Sequence, residues 1–374
     1  MLELRTVTKK FGQTTAVSEL NLSTGESEFV VIFGPAGAGK TTTLNLVAGT
    51  VQPTAGEILF KGQSLNGVPP EHRNMSMVFE NYALYSHLSV YENIAFPLRA
   101  RKFSNDTIKR MVHDMADVLQ IGEFLDRRPG FLSGGQRQRV ALGRALVRDA
   151  DVYLLDEPIS HLDAKLRHRM RGELKAMCAK KEAIILHVTH DYREAMALSD
   201  RMIVLNKSKV MQQGTPEEIY HWPANEFVAS FVGEPPMSFL DVTYDPDSQQ
   251  LAVKGTTANP VVLNAPDTPD AREALAGAGK LRVGVRASDV QISTTNDESF
   301  SVPAEVYVIE TLGHQNIVTA KVGSDLVKIV TKPEFELAVR DTIWLNIGPQ
   351  NYHLFADGKA ISHPRRQVGE FQPA

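Results

Sequence analysis

Phe29-Val30-Val31-Ile32-Phe33-Gly34-Pro35-Ala36-Gly37-Ala38-Gly39-Lys40-Thr41-Thr42-Thr43-Leu44-Asn45-Leu46-Val47-Ala48-Gly49 joins an unbroken apolar run, a glycine-rich turn and a helix-forming segment. Continuous hydrophobicity from Phe29 to Phe33 suits a strand covered on both faces. Gly34 to Thr41 has the G-x-x-x-x-G-K-T spacing of a phosphate-binding loop. The glycines let backbone N–H groups curl round a phosphate chain, beside the positive end of a helix that runs to Ala48 and stops at Gly49. Lys40 reaches the terminal phosphates, and the Thr41 hydroxyl is a ligand for Mg²⁺. Gly34, Pro35, Ala36, Gly37, Ala38, Gly39, Lys40, Thr41 and Thr42 are therefore candidate nucleotide contacts. An ordinary strand-to-helix turn would not need strand, spacing, lysine and threonine together. The loop alone does not choose among kinases, GTPases and ATPases.

Further apolar runs, Val152 to Leu155, Ile184 to Val188 and Met202 to Leu205, alternate with helical patterns. In one, Asp163 to Lys181, Leu166, Met170, Leu174 and Met177 share a face. That alternation predicts an α/β domain with a parallel sheet. Ser104 can cap a helix striped by Ile108, Met111, Val112, Met115, Val118 and Leu119. Thr215-Pro216-Glu217-Glu218 reads as a further helix start. After Gly233-Glu234-Pro235-Pro236, short valine-rich runs such as Leu281 to Val285 and Val302 to Val308 are separated by Gly, Asn, Asp and Pro, the texture of small β-barrels. The boundary is placed near residue 237, and His363 to Ala374 reads as a loose tail.

The 374 residues suffice for two or three domains, and 43% hydrophobic with 22% charged residues is ordinary for a globular protein. A net charge of −4 argues against a general nucleic-acid binder, so no nucleic-acid partner is expected. The single cysteine, Cys178, excludes an intrachain disulfide framework and reads as helix filler. No run approaches the roughly 18 apolar residues of a membrane span, and no signal peptide opens the chain. A membrane role would need another subunit.

Leu132-Ser133-Gly134-Gly135-Gln136, followed by Arg137-Gln138-Arg139-Val140-Ala141-Leu142-Gly143-Arg144-Ala145-Leu146, is a glycine turn opening a helix, with N–H groups and the Ser133 hydroxyl offered to an anion. A capped helix needing no ligand is the alternative. Val152-Tyr153-Leu154-Leu155-Asp156-Glu157-Pro158 is a buried strand ending in two carboxylates. Asp156 is placed to hold Mg²⁺, and Glu157 to accept a proton from water.

Together these motifs resemble the ATPase subunit of the ABC transporter superfamily, over residues 1 to 235. The resemblance implies a P-loop NTPase domain (1–236), with a RecA-like sheet and a helical subdomain at about 87–150. It further implies a C-terminal, all-β, OB-like regulatory domain (237–374) of the type found on maltose and glycerol-phosphate importers, on Leu281-Arg282-Val283-Gly284-Val285-Arg286 and Asn351-Tyr352-His353-Leu354-Phe355. ATP and Mg²⁺ are the implied cofactors. Ser160-His161-Leu162-Asp163 resembles the D-loop, with Asp163 near nucleotide. Val188-Thr189-His190-Asp191 resembles the switch, with His190 steadying γ-phosphate and water. Phe11 occupies the place of the aromatic that stacks on adenine. Two such subunits would close face to face, Ser133, Gly134, Gly135 and Gln136 of one meeting ATP on the Lys40 loop of the other.

Tyr82-Ala83-Leu84-Tyr85-Ser86-His87-Leu88-Ser89-Val90-Tyr91-Glu92-Asn93 resembles the segment that meets a transmembrane permease, placing the chain peripherally on the cytoplasmic face of the inner membrane. A periplasmic solute-binding protein is an indirect partner. Sugars, polyols and related derivatives are the favoured cargo, with spermidine, iron and sulfate as alternatives. Glu80 stands where the family usually has Gln contacting Mg²⁺ and water; it loses an N–H₂ donor and adds charge. Pairing with a second, different ATPase subunit would tolerate that change. His161 and Ser86 are further departures. A soluble ABC ATPase acting on DNA or ribosomes, a non-hydrolysing subunit and a phosphate-loop kinase are the rivals.

Overall fold

A computed structural model of the chain describes residues 1–181, 183–255, 262–264, 269–295, 301–348 and 351–363, and the chain divides into compact units at Pro216/Glu217. The tail beyond His363 and the side chains of Met177 and Cys178 lie outside what is described. The first unit runs β1 (Leu2–Phe11), β2 (Thr14–Ser23), β3 (Glu28–Phe33), α1 (Lys40–Ala48), β4 (Ala55–Phe60), β5 (Gln63–Ser64), β6 (Met75–Val78), α2 (Val90–Ala100), α3 (Asn105–Val118), α4 (Gly134–Leu146), β7 (Val152–Asp156), α5 (Ala164–Lys181), β8 (Ile184–Thr189), α6 (Tyr192–Leu198), β9 (Arg201–Asn206) and β10 (Lys209–Gly214).

The four apolar runs are β3, β7, β8 and β9, neighbours in a sheet of order β10-β9-β3-β8-β7-β6. All its pairings are parallel except β10 with β9. An antiparallel sheet, β2-β1-β4-β5, shares its core with it, and Leu44, Leu46 and Val47 of α1 are buried between Leu4, Val17, Ile32 and Leu186. Apolar contact from both sheets leaves only Thr41, Thr42 and Asn45 of α1 not fully buried. Register decides where chemistry can occur: Phe33 pairs with Thr189, and Asp156 with Val188. The ends of β3, β7 and β8 are therefore level, at the carboxyl edge where parallel sheets bind ligands. Beside the sheet, Ser104 caps α3 by accepting from Thr107 N, and Ile108, Val112 and Leu119 are buried while Met111 and Met115 are half-buried.

The second unit opens on α7 (Pro216–His221) and α8 (Glu226–Phe231). β11 (Ser238–Asp245), β12 (Gln250–Val253), β13 (Val262–Asn264), α9 (Pro269–Gly277), β14 (Leu281–Val285), β15 (Gln291–Ser293), β16 (Ser301–Thr311), β17 (Asn316–Val322), β18 (Asp325–Thr331), β19 (Thr342–Asn346), β20 (Tyr352–Ala356) and β21 (Lys359–Ser362) follow. Two antiparallel sheets, β13-β12-β11-β14-β20-β21 and β15-β19-β16-β17-β18, enclose one core that includes Leu240, Val283 and Leu354 from the first and Val306, Val318 and Leu345 from the second. Lys328 N donates to Ser238 Oγ at 2.9 Å and Asp241 N to Asp325 Oδ2 at 3.0 Å, so β11 and β18 are drawn together and the sheets curl as a half-barrel. The valine-rich texture concealed α9.

The unit begins ahead of that texture because Arg286 gathers α7 and α8 onto the sheet. Its guanidinium donates to the carbonyls of Ala229 (3.1 Å), Val232 and Tyr220 (2.7 Å), and sits 4.2 Å from the Tyr220 ring centroid. At 2% exposure it satisfies helix-end carbonyls that water cannot reach. Arg286→Met is expected to destabilise this unit by about 2–4 kcal/mol. Urea unfolding followed by fluorescence measures it directly, since both tryptophans, Trp222 and Trp344, lie in this unit.

Candidate nucleotide site

The loop between β3 and α1 is shaped by two glycines. A Cβ on Gly34 would lie 2.3 Å from the Leu205 carbonyl oxygen, and one on Gly39 2.3 Å from that of Ala16. Gly39 also has φ +104°, a left-handed conformation that side chains disfavour. Ala36 and Gly37 are exposed at the loop tip, Pro35 and Thr42 are half-buried, and the Ala38 side chain turns into the core. Lys40 is 7% exposed, and its Nζ donates to Gly34 O at 2.9 Å and Pro35 O at 3.0 Å. Burial lowers its pKa, opposed by the charges of Glu157, Asp156 and Glu80.

Thr41 Oγ1 donates to Asp156 Oδ1 at 3.3 Å, across from the end of β7. Asp156 is 2% exposed, and burial pushes its pKa up to about 6; the Thr41 hydrogen bond and Lys40 work against this, while Glu80 and Glu157 add to it. Glu80, two residues beyond β6, is itself exposed. Glu157 takes φ +47°, its N–H donates to Val188 O at 3.0 Å, and its Oε1 lies 2.7 Å from His190 Nδ1. Such a backbone costs about 1–3 kcal/mol in a non-glycine residue and points to a functional constraint. Lys40, Thr41, Glu80, Asp156, Glu157 and His190 are thus brought together.

The remaining candidates are placed differently. Ser133 caps α4 in a closed box, Ser133 N donating to Gln136 Oε1 at 2.8 Å and Gln136 N to Ser133 Oγ at 3.3 Å. Gly134 and Gly135 form the first turn, where a Cβ on Gly135 would meet His161 O at 3.1 Å. This start joins the cluster indirectly, through Gln138 Nε2, which donates to the Glu157 carbonyl at 2.8 Å. Asp163 Oδ1 accepts from Leu166 N at 2.9 Å, starting α5. Phe11, at the end of β1, is 51% exposed with Lys9 Nζ 4.9 Å from its ring centroid.

Sequence reasoning missed the supporting residues. Arg167 donates to the carbonyls of Ile159 (3.3 Å), Ser160 (2.9 Å) and Leu162 (2.9 Å), and lies 3.6 Å from Asp191 and 4.0 Å from Glu194. Behind His190, Glu194 accepts from Thr189 Oγ1 at 3.0 Å and meets the buried His187 at 3.4 Å. Asn93, fully buried, accepts from Tyr85 N and donates to Tyr85, Leu88 and Ser89 carbonyls, shaping the 85–89 turn. The capping box was legible in Ser133-x-x-Gln136. Arg167 and Asn93 carry no local signal.

The ABC transporter family profile matches residues 17–160. The trehalose/maltose import ATP-binding protein of Thermococcus litoralis is 41% identical over 380 residues, covering 95% of this chain and 98% of that protein. The sn-glycerol-3-phosphate import ATP-binding protein of Yersinia pseudotuberculosis is 38% identical, covering 95% and 96%. This chain belongs to the ABC transporter ATP-binding protein family. A solved ABC cassette, a dimer in a post-hydrolysis state bound to ADP and Pi, aligns with 58% of the chain and 99% of its own length, at TM-score 0.55 and 30% identity. As a member of this ABC family, the chain is the ATP-binding and ATP-hydrolysing subunit of an importer. No helix among the described residues is long and apolar enough to cross a membrane.

The ABC site has a pH signature of its own. A carboxyl whose pKa stands at about 6 in the fold, above its ordinary 3.8, holds its proton more tightly when folded, so its contribution is full below about 3.8 and lost as pH rises through 6. Asp156→Asn, which keeps an acceptor for Thr41, is expected to raise the nucleotide-free melting midpoint by about 2–4 °C at pH 7. The gain should shrink as pH falls from 6 towards 4, and scanning calorimetry across that range checks it.

Proposed function

We propose that the cluster at the carboxyl edge of the sheet is the hydrolytic centre for ATP with Mg²⁺. Lys40 and the loop N–H groups hold the phosphate chain, and Phe11 stacks on the base. Thr41, Asp156 and Glu80 supply hard oxygen ligands for Mg²⁺. Their fit rests on charge: three carboxylates face one ammonium, and Asp156 is buried with its pKa raised. Glu157 takes the proton of the attacking water, and His190 orients that carboxylate from 2.7 Å. This contact is the observation that carries the proposal.

Ser133 and Asp163 are exposed, as a face offered to a second ATPase subunit requires. We assign Ser133, Gly134, Gly135 and Gln136 to the partner's ATP. The 82–93 segment is assigned to the transmembrane permease, residues 1–236 to the ATPase domain and 237–374 to regulation. The site of action is the cytoplasmic face of the inner membrane, with a periplasmic solute-binding protein upstream. A maltose-type sugar or glycerol phosphate is the proposed cargo, by analogy with the relatives' names. The charge of Glu80 supports a second reading, a slower member of a heterodimeric ATPase pair.

In an ATPase assay with Mg²⁺, Glu157→Gln is expected to lower kcat by about 100-fold or more while ATP binding stays within a few-fold. Retained turnover excludes Glu157 as the base. Glu80→Gln, which removes a charged oxygen ligand, should raise the Mg²⁺ concentration needed for half-maximal rate, read from a metal titration at saturating ATP. Uptake of labelled maltose against glycerol 3-phosphate, with and without the chain, separates the cargoes.

A further inference from the structure

Two consecutive non-glycine residues, Tyr82 at φ +65° and Ala83 at φ +45°, adopt left-handed backbone in the segment assigned to the permease. A strained turn persists only where its surroundings over-determine it. Here Arg144 of α4 does so, donating to Ala83 O at 2.7 Å and Tyr82 O at 2.9 Å, with its guanidinium 5.2 Å from the Tyr85 ring centroid. The turn aims the Tyr82 hydroxyl at His161 Nδ1, 3.0 Å away, with the rings nearly perpendicular. The His161 backbone N–H donates to Gln138 Oε1 at 3.0 Å. Gln138, 1% exposed, donates in turn to the Glu157 carbonyl at 2.8 Å. Ser160 Oγ lies 3.1 Å from both the Glu157 carbonyl and His161 Nδ1. With the one Ser160 proton given to the carbonyl, the Tyr82 hydroxyl donates to the Nδ1 lone pair of His161.

We propose that Tyr82 and His161 are positioning residues, forming with Gln138 a relay that ties the placement of the 82–83 turn to that of the Glu157 backbone. Each link is a hydrogen bond of 3.0 Å or less between side chains or loop groups that have no other reason to converge. The backbone of Glu157 sets the direction of its carboxylate, so a displacement of the turn alters the geometry at water. Of the three departures from the family pattern, His161 is a link in this path and Glu80 lies two residues before its start. The relay rests on the reading of Glu157 as the base.

The test is a mutant cycle on the full-length chain, reading kcat and half-saturating ATP for Tyr82→Phe, His161→Leu, the double variant and His161→Asn, whose amide oxygen can stand in for Nδ1. Each disruptive single change is expected to lower kcat about three- to tenfold, as loss of one hydrogen bond allows, with half-saturation moved less than about twofold. The double variant should be no slower than the slower single one, and His161→Asn should retain at least about half the rate. Multiplying losses in the double variant, or singles at the wild-type rate, overturn the relay. Should Glu157→Gln retain turnover, the base assignment fails on its own. Hydrogen exchange then judges the relay without turnover: Tyr82→Phe must speed exchange of the peptide carrying the His161 amide at least about threefold, and an unchanged rate overturns it.

Discussion

One buried ammonium among three carboxylates is the constraint on which the site depends. Lys40 is almost enclosed and held by carbonyls of its own loop, while Asp156, Glu157 and Glu80 press negative charge towards it. Burial is the main cause of the raised pKa of Asp156, and the charges of Glu80 and Glu157 add to it. On the proposed function, a phosphate chain arriving with a divalent cation would supply an anion for the lysine and loop N–H groups and a dication for the acids.

The fold exists to bring those groups to one edge. β3, β7 and β8 are parallel and end level, so the phosphate loop, Glu157 and His190 emerge side by side although they are far apart in the chain. Enclosing α1 in apolar contact on several sides fixes the loop that starts it. The left-handed backbone at Glu157 is tolerated because its N–H is bonded to β8 and its carbonyl to Gln138 and Ser160.

Around this edge, long polar side chains bind loops that have no regular structure. Arg167 collects three carbonyls of the 159–162 turn beside the residues that follow His190, while Arg144 and Asn93 hold the turns at 82–83 and 85–89. These contacts convert loops into parts with defined positions, a condition for the proposed relay between the 82–83 turn and Glu157.

Much of this was legible in the chain itself. Apolar runs marked β3, β7, β8 and β9, the glycine spacing marked the phosphate loop, and the acids ending β7 marked where carboxylates gather at the sheet edge, because strand burial and phosphate binding impose strong local composition. The half-barrel was readable only as a texture, since alternating valines do not record which strands pair, and α9 went unseen within it. The sequence by itself determined which residue types stand at strand ends and helix starts. Tertiary structure alone decided that Thr41 meets Asp156, that Glu157 meets His190, and that Tyr82 reaches His161. Those contacts join positions separated by tens of residues or more, and their distances follow from sheet register and loop anchoring, which leave no periodic trace in the chain.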